Sequence, residues 1–247
     1  MRGLSAVYRR ELAGLFLAPL AWILLCATLL YNAFFFLAVL ERSGGEIDVT
    51  LVYMHQGPFW FLVCFLPPLL TMRMISEETR SGLLEFLLTA PVRDSAVVLG
   101  KLLAATTFMA IAWLSIPMFA LVVHLAGAPP DWGMVLTEWI GAVLVSALFC
   151  ALGLVASAVC GTPLLAAFLA ILANILLMVL PLAVGLVRGP LRAQAEWVRN
   201  KVDVQSHFYG SFLTGALDSA HVVFYLAWCA ALLFVAVRLV ESKRWIG

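Results

Sequence analysis

The chain alternates between long apolar stretches and short polar segments, and six of the apolar stretches are long enough to cross a bilayer. A helix needs about 20 residues to cross a hydrocarbon core that is about 30 Å thick. We therefore predict an all-α protein with six membrane-spanning helices. The predicted spans are Pro19–Leu40, Pro58–Ile75, Leu102–Ala126, Met134–Val159, Pro163–Val187 and Ala220–Val240. Prolines within the second, third and fifth spans favour kinks, because each removes a backbone donor.

A two-faced pattern precedes the first span and predicts an amphipathic helix over residues 2–17, lying along the membrane surface. Its apolar side chains recur at helical spacing, and charged residues lie elsewhere on the helical wheel. These charged residues are Arg9, Arg10 and Glu11. A secretory signal peptide would have an apolar core of about 7 to 15 residues followed by a cleavage site. The apolar run here is longer and no clear cleavage site follows it, so a retained helix is favoured.

The polar segment between the second and third spans, residues 75–101, is longer and more charged than a turn requires. Its leucines share one arc of a helix with about 3.6 residues per turn, which predicts a short two-faced helix within residues 76–90. The leucine face consists of Leu83, Leu84, Leu87 and Leu88, with Glu85 facing away. The residues that flank or bound it are Glu77, Glu78, Arg80, Gly82 and Pro91. Either a partner docks here, or the leucines rest on the bundle and the charges are solvated, and the spacing favours neither.

The segment between the fifth and sixth spans, residues 188–219, is too polar to cross a membrane. Its apolar spacing predicts short amphipathic helices at the outer membrane face. No repeat, low-complexity linker or second domain interrupts the chain, so we predict one membrane domain over residues 1–247.

Composition agrees with this architecture. Of the 247 residues, 64% are hydrophobic and 12% charged, whereas a soluble domain is about half apolar and about a quarter charged. The formal net charge of +1 excludes a strong field for nucleic acid. The five cysteines lie in or beside apolar runs without metal or redox spacing, and we interpret them as small hydrophobic residues.

The distribution of lysine and arginine predicts the orientation, because cytoplasmic segments carry their excess. Basic residues lie before the first span, between the second and third spans and after the last span, and six spans place these segments on one side. We therefore predict that both termini are cytoplasmic. The conflicting segment is residues 188–201, which carries four basic residues on the predicted outer side.

No constellation for covalent chemistry emerges from the sequence. The pair Gly100-Lys101 lacks the first glycine and the final Ser or Thr of the phosphate-binding pattern GxxxxGK[ST], so we expect no ATP site in this chain. The four histidines are scattered without the spacing of metal ligands. Two polar residues lie in or near spans: Glu138, expected at the interface, and Asn174, which either serves function or bridges two helices.

The run from Glu77 to Val92, followed by Gly100-Lys101, resembles the cytoplasmic coupling segment of ABC-2 type permeases. The run from Tyr8 to Leu12, with Pro19 before the first span, is similar to the amphipathic elbow helix of that family. The chain end, with His207-Phe208, Leu217-Asp218 and residues 241–245, resembles the gliding-motility, GldF-like branch. The coupling motif departs from the family at Leu83, where threonine is common. No fused domain follows residue 245, so any accessory component is expected to be a separate protein.

This resemblance implies a permease subunit of the bacterial inner membrane that forms a translocation path and lacks an ATPase site. ATP and Mg would be held by a separate ABC ATPase subunit docking on residues 76–90. A second permease copy or a related permease would complete the membrane part. The resemblance also favours export or a gliding-motility role, and it leaves the substrate open.

Two other classes of function compete with this one. An ATP-independent secondary transporter would show conspicuous buried charges or inverted repeats. An intramembrane enzyme would need a nucleophile or a metal constellation at membrane depth. The sequence shows neither pattern.

Overall fold

A computed structural model of the chain describes residues 2–44, 57–82, 93–185 and 192–243. Within these ranges the secondary structure is entirely helical. The long helices are α2 (Pro19–Arg42), α3 (Pro58–Thr71), α5 (Asp94–Ala112), α7 (Trp132–Val159), α8 (Pro163–Gly185) and α11 (Ser219–Lys243). The remaining helices are α1 (Arg2–Leu17), α4 (Ser76–Arg80), α6 (Ser115–Leu125), α9 (Arg192–Val202), α10 (Val204–Ser211) and a 3-10 turn at Phe212–Thr214.

The six predicted spans are confirmed as six helical stretches that are long and apolar enough to cross a membrane. The third span begins earlier than predicted, because α5 starts at Asp94 and not at Leu102. Arg93 is extended and directly precedes the helix, and the carboxylate of Asp94 lies in the first helical turn. Negative charge there is favourable because the amino end of a helix is positively polarised.

The second span contains two prolines whose effect on the backbone is offset by a neighbouring helix. Pro68 has no N–H to donate to the carbonyl of Cys64, four residues earlier. Asn174 of α8 donates from Nδ2 to that carbonyl at 3.1 Å, and its side chain is fully buried. Asn174 therefore bridges two helices, one of the two roles expected for it.

The third span is broken between α5 and α6, just before Pro117. Proline cannot donate to the carbonyl of Trp113, and the N–H of Ile116 donates to it instead at 3.0 Å. The indole of Trp113 donates to Ser146 of α7 at 2.7 Å, which anchors the break to the interior.

Helix α7 forms the centre of the bundle. Asp131 accepts a hydrogen bond from the N–H of Gly133 at 2.8 Å, which caps the start of α7. A side chain at Gly153 would lie 2.1 Å from the hydroxyl of Thr71, so glycine permits close contact between α7 and α3. The second and fourth spans are mostly buried, whereas only about a fifth or fewer of the residues in the first, fifth and sixth spans are buried inside the protein.

Three parts of the chain meet at one end of the bundle, which we call the basal end. Arg10 of α1 contacts Glu78 of α4 at 2.8 Å. The ammonium of Lys243, at the end of α11, donates to Thr79 of α4 at 3.2 Å. Helices α9 and α10 lie at the opposite end, where Tyr209 accepts a hydrogen bond from the indole of Trp60 at 2.6 Å. The amino-terminal helix, α4 and the end of α11 therefore share a side, as six spans require.

Candidate functional site

The candidate site is built where α1 lies against the first turns of α5. A side chain at Gly100 would lie 2.9 Å from Val7, so the two helices approach closely only because residue 100 is glycine. The hydroxyl of Tyr8 lies 3.1 Å from that of Thr107, which follows Gly100 by about two helical turns on α5. This packing brings the charged residues of α1 over Lys101.

Four charged side chains form what we call the basal charge cluster: Arg10, Glu11, Glu78 and Lys101. The ammonium of Lys101 lies 3.0 Å from Glu11 Oε1 and 2.9 Å from Glu78 Oε2. Arg10 Nη2 contacts the other oxygen of Glu78 at 2.8 Å and also pairs with Glu11. The cluster holds two positive and two negative charges, so it is neutral as a whole.

Burial makes this cluster different from a surface ion pair. The side chain of Lys101 is 1% exposed, and those of Glu11 and Glu78 are 14% and 16% exposed. A buried charge that loses its partner is strongly destabilising, whereas exposed pairs contribute little. Burial lowers the pKa of Arg10, but its hydrogen bonds and attraction to Glu11 and Glu78 outweigh this effect and raise that pKa. The cluster therefore fastens α1, α4 and α5 to one another.

A second contact fastens α4 to the centre of the bundle. The turn between α3 and α4 leaves some backbone groups without a hydrogen-bond partner inside a helix. The hydroxyl of Ser157 on α7 is the partner of these groups. Its hydroxyl accepts hydrogen bonds from the N–H groups of Ile75 and Ser76 at 3.1 and 3.0 Å. The same hydroxyl donates to the carbonyl of Met72 at 3.0 Å. Ser157 therefore joins the start of α4 directly to α7.

The predicted docking residues divide into two groups. Glu77 and Arg80 are exposed, and the side chain of Glu77 is 58% exposed, 3.8 Å from Arg73. Glu78 instead points inward to the basal charge cluster.

Helix α4 ends at Arg80, and Gly82 has a φ of +74°, which glycine tolerates. Helix α4 therefore ends before the leucine-rich part of the predicted segment. Leu83, Leu84, Glu85, Leu87, Leu88 and Pro91 lie outside the described residues.

The charged residues predicted on α1 also separate. Arg9 is exposed, Arg10 is half-exposed, and Glu11 lies mostly inside the basal charge cluster. The sequence did not single out Lys101 or Ser157 as site residues. The signal for Lys101 was its place, beside Gly100, at the end of the run that resembles a coupling segment. Ser157 was indistinguishable from the other small residues of its span.

Two other polar features emerge away from the basal end. His207 and His221, which the sequence pattern did not pair, lie with their Nδ1 atoms 2.7 Å apart. Glu138 is fully buried and lies in the second turn of α7, near the end of that span. The described part of the chain contains no group of three or more metal-ligating side chains. His55 lies outside the described residues.

Comparison with known proteins places these features in a family. Residues 9–243 match the family model described as "ABC-2 family transporter protein". The match begins on α1 and ends at the last residue of α11, so it includes the whole basal charge cluster. No curated protein matches the chain.

Proposed function

The chain belongs to the ABC-2 family of transporter membrane proteins, and from this premise we propose that a separate ATPase subunit drives it by binding at the basal end. The chain is the permease subunit, and family membership makes a catalytic role of its own unexpected. The position of Gly100-Lys101 supports the assignment of ATP binding to a separate subunit. Both residues lie within α5, and Lys101 is paired with Glu11 and Glu78. A phosphate-binding loop requires free backbone amides around the phosphates.

The basal charge cluster is the observation that carries the proposal. The segment expected to meet the ATPase begins at α4, and α4 is joined through Glu78 to α1 and α5. It is joined through Ser157 to α7. In the proposed mechanism, closure of an ATPase dimer displaces residues 76–90, and this displacement reaches the third and fourth spans. ATP drives transport only if its binding or hydrolysis favours one membrane conformation over another.

The remaining parts of the proposal follow the family resemblance. The complex contains a second permease copy or a related permease, with the substrate path between the two, and a separate accessory membrane protein is compatible with it. The protein lies in the bacterial inner membrane with both termini in the cytoplasm. We propose that the complex exports its substrate or serves a gliding-motility-type role, as in the GldF-like branch.

The first experiment tests docking with exposed residues, which avoids disturbing the basal charge cluster. Tagged chain is extracted in mild detergent, and co-purifying ATPase is measured by mass spectrometry and by ATP hydrolysis. The double variant Glu77→Lys/Arg80→Glu should reduce ATPase retention about tenfold, since each exposed charge contributes up to about 1 kcal/mol. The control Glu196→Lys reverses an equally exposed acid (57%) on α9 and should retain the ATPase.

Two results would contradict the proposal. Normal ATPase retention and transport in the double variant would remove Glu77 and Arg80 from the docking surface. Absence of any nucleotide-binding companion under several extraction conditions, together with transport that persists without ATP, would favour the secondary transporter.

A further inference from the structure

A cavity of about 460 Å³ opens at the basal end, between α1, the start of α2, the end of α3 and α4. Its size lies within the range of about 300 to 1,000 Å³ that is typical of small-molecule sites. Its walls come from helices on both sides of the Ala18 bend, where the chain turns from α1 into the first span. The cavity therefore lies at the boundary between the spans and the basal end.

The lining of the cavity has two parts with different chemistry. Most of the wall is apolar and is formed by Leu15, Leu20, Leu24, Leu69, Leu70 and Met74. The charged part consists of Arg10, Glu11, Arg73, Glu77 and Glu78. Apolar and charged surfaces that adjoin at a membrane boundary fit an amphiphile, with its chain on the first and its headgroup on the second.

The charged residues of the lining differ in how closely they are paired with one another. Arg10, Glu11 and Glu78 belong to the basal charge cluster and are paired. Arg73 and Glu77 are separated by 3.8 Å, beyond hydrogen-bond distance, and their side chains are 61% and 58% exposed. Among the described residues, neither side chain has a hydrogen bond. The cavity therefore offers a cation and a carboxylate that form only a long, exposed ion pair with each other.

We propose that this cavity binds an aminophospholipid from the surrounding bilayer, with the headgroup of phosphatidylethanolamine placed between Arg73 and Glu77. The guanidinium donates to the phosphate, a pairing for which arginine geometry is well suited. The carboxylate of Glu77 accepts hydrogen bonds from the primary ammonium. The acyl chains lie against the leucines of the wall. This site shares Glu77 with the proposed docking surface for the ATPase. Arg73 and Gly14 belong to the lipid site alone, so variants at these two residues test it separately.

The balance of charge in the lining selects among lipids. Because the basal charge cluster is neutral as a whole, the selection depends on Arg73 and Glu77. An anionic headgroup would gain Arg73 but place a second negative charge beside Glu77. A choline headgroup carries no N–H and cannot donate to Glu77. Phosphatidylethanolamine satisfies both residues. The expected order of affinity is therefore phosphatidylethanolamine above phosphatidylglycerol and phosphatidylcholine.

The test is native mass spectrometry of the purified full-length complex, titrated with phosphatidylethanolamine, phosphatidylglycerol and phosphatidylcholine of identical acyl chains. One phosphatidylethanolamine per chain should bind about tenfold more tightly than the other lipids, the effect of one charge-assisted hydrogen bond. Glu77→Gln should abolish this preference while retaining binding. Arg73→Gln should weaken binding of all three lipids. The matched control is Arg192→Gln or Glu196→Gln, which alters an exposed pair with the same spacing at the opposite end.

A variant without any change of charge tests the cavity separately. Gly14 lines the cavity, and a side chain there meets open space. Gly14→Leu should therefore fill the cavity and abolish binding of the selected lipid, while α1 stays folded because leucine favours helix over glycine. Equal affinity for the three lipids, a preference for phosphatidylglycerol, or unchanged binding in Gly14→Leu would overturn the proposal.

Discussion

Lys101 shows how a single residue can connect three segments of a membrane protein. It is 1% exposed and lies within hydrogen-bond distance of Glu11 and Glu78, which are 90 and 23 positions away in sequence. The sequence placed Glu11 on the predicted elbow helix, Glu78 in the predicted docking segment, and Lys101 at the end of the run that resembles a coupling segment. Their contact could not be predicted, because the packing of α1 on α5 at Gly100 decides it.

Replacing this lysine should destabilise the basal end. Lys101→Met leaves Glu11 and Glu78 close together with Arg10 as their remaining partner. We expect a loss of about 1 to 3 kcal/mol, below the full cost of an unpaired buried charge, because both carboxylates are partly exposed. Thermal unfolding of the purified protein in detergent measures the loss.

A double-mutant cycle identifies the cause of that loss. Lys101→Met/Glu78→Gln removes one carboxylate together with the lysine and should be more stable than Lys101→Met alone. If the double variant lost the sum of the two single losses, the ion pair between Lys101 and Glu78 would not contribute to stability.

At the scale of elements, the prolines and polar residues within the spans act as pairs across helices. The sequence predicted kinks at the prolines and offered bridging as one role for Asn174. It could not match Asn174 to the carbonyl of Cys64, because that match depends on how α8 packs against α3. The early start of α5 was missed for a related reason: the predicted loop was defined by its polar residues, whereas the helix tolerates Asp94 and Lys101 in its first turns.

The bridge between α3 and α8 predicts a compensating pair of substitutions. Asn174→Leu removes the donor to the carbonyl of Cys64 and should cost about 0.6 to 1.7 kcal/mol, the range measured for hydrogen bonds between membrane helices. Pro68→Ala restores a backbone N–H that can reach that carbonyl. Asn174→Leu should therefore cost less in the Pro68→Ala background, as measured by unfolding in detergent. An equal cost in both backgrounds would show that the carbonyl does not depend on Asn174.

At the scale of the whole molecule, the arrangement has two distinct ends. Helices α1 and α4 and the end of α11 meet at the basal end, and α9 and α10 lie at the other. The segment 188–201 carries four basic residues on the predicted outer side, which conflicts with the predicted orientation. In the described part of that segment, two arginines form ion pairs with acidic residues four positions further on. Arg192 pairs with Glu196, and Arg199 pairs with Asp203. Orientation follows the count of lysine and arginine and not the net charge, so this segment still opposes the predicted orientation.

The proposed orientation predicts which end a membrane-impermeant reagent reaches. In intact cells, an impermeant maleimide should label Glu196→Cys but not Glu77→Cys, and cell lysis should expose Glu77→Cys. The unmodified chain, whose Cys26 is exposed on the first span, supplies the background. Labelling of Glu77→Cys in intact cells would place the basal end outside the cell and remove the proposed ATPase docking.

The sequence by itself determined that the surroundings of this protein are lipid, that it has six membrane-spanning helices, and that its two terminal segments lie on the same side. Burial in lipid is a property of each local apolar stretch, so it can be read without knowledge of any neighbour. The tertiary structure alone decided which polar groups meet. Arg10 and Glu78 lie 68 positions apart, and Asn174 and Cys64 lie 110 apart. Such contacts arise from helix packing, where small residues set the approach of whole helices and no local pattern encodes the result.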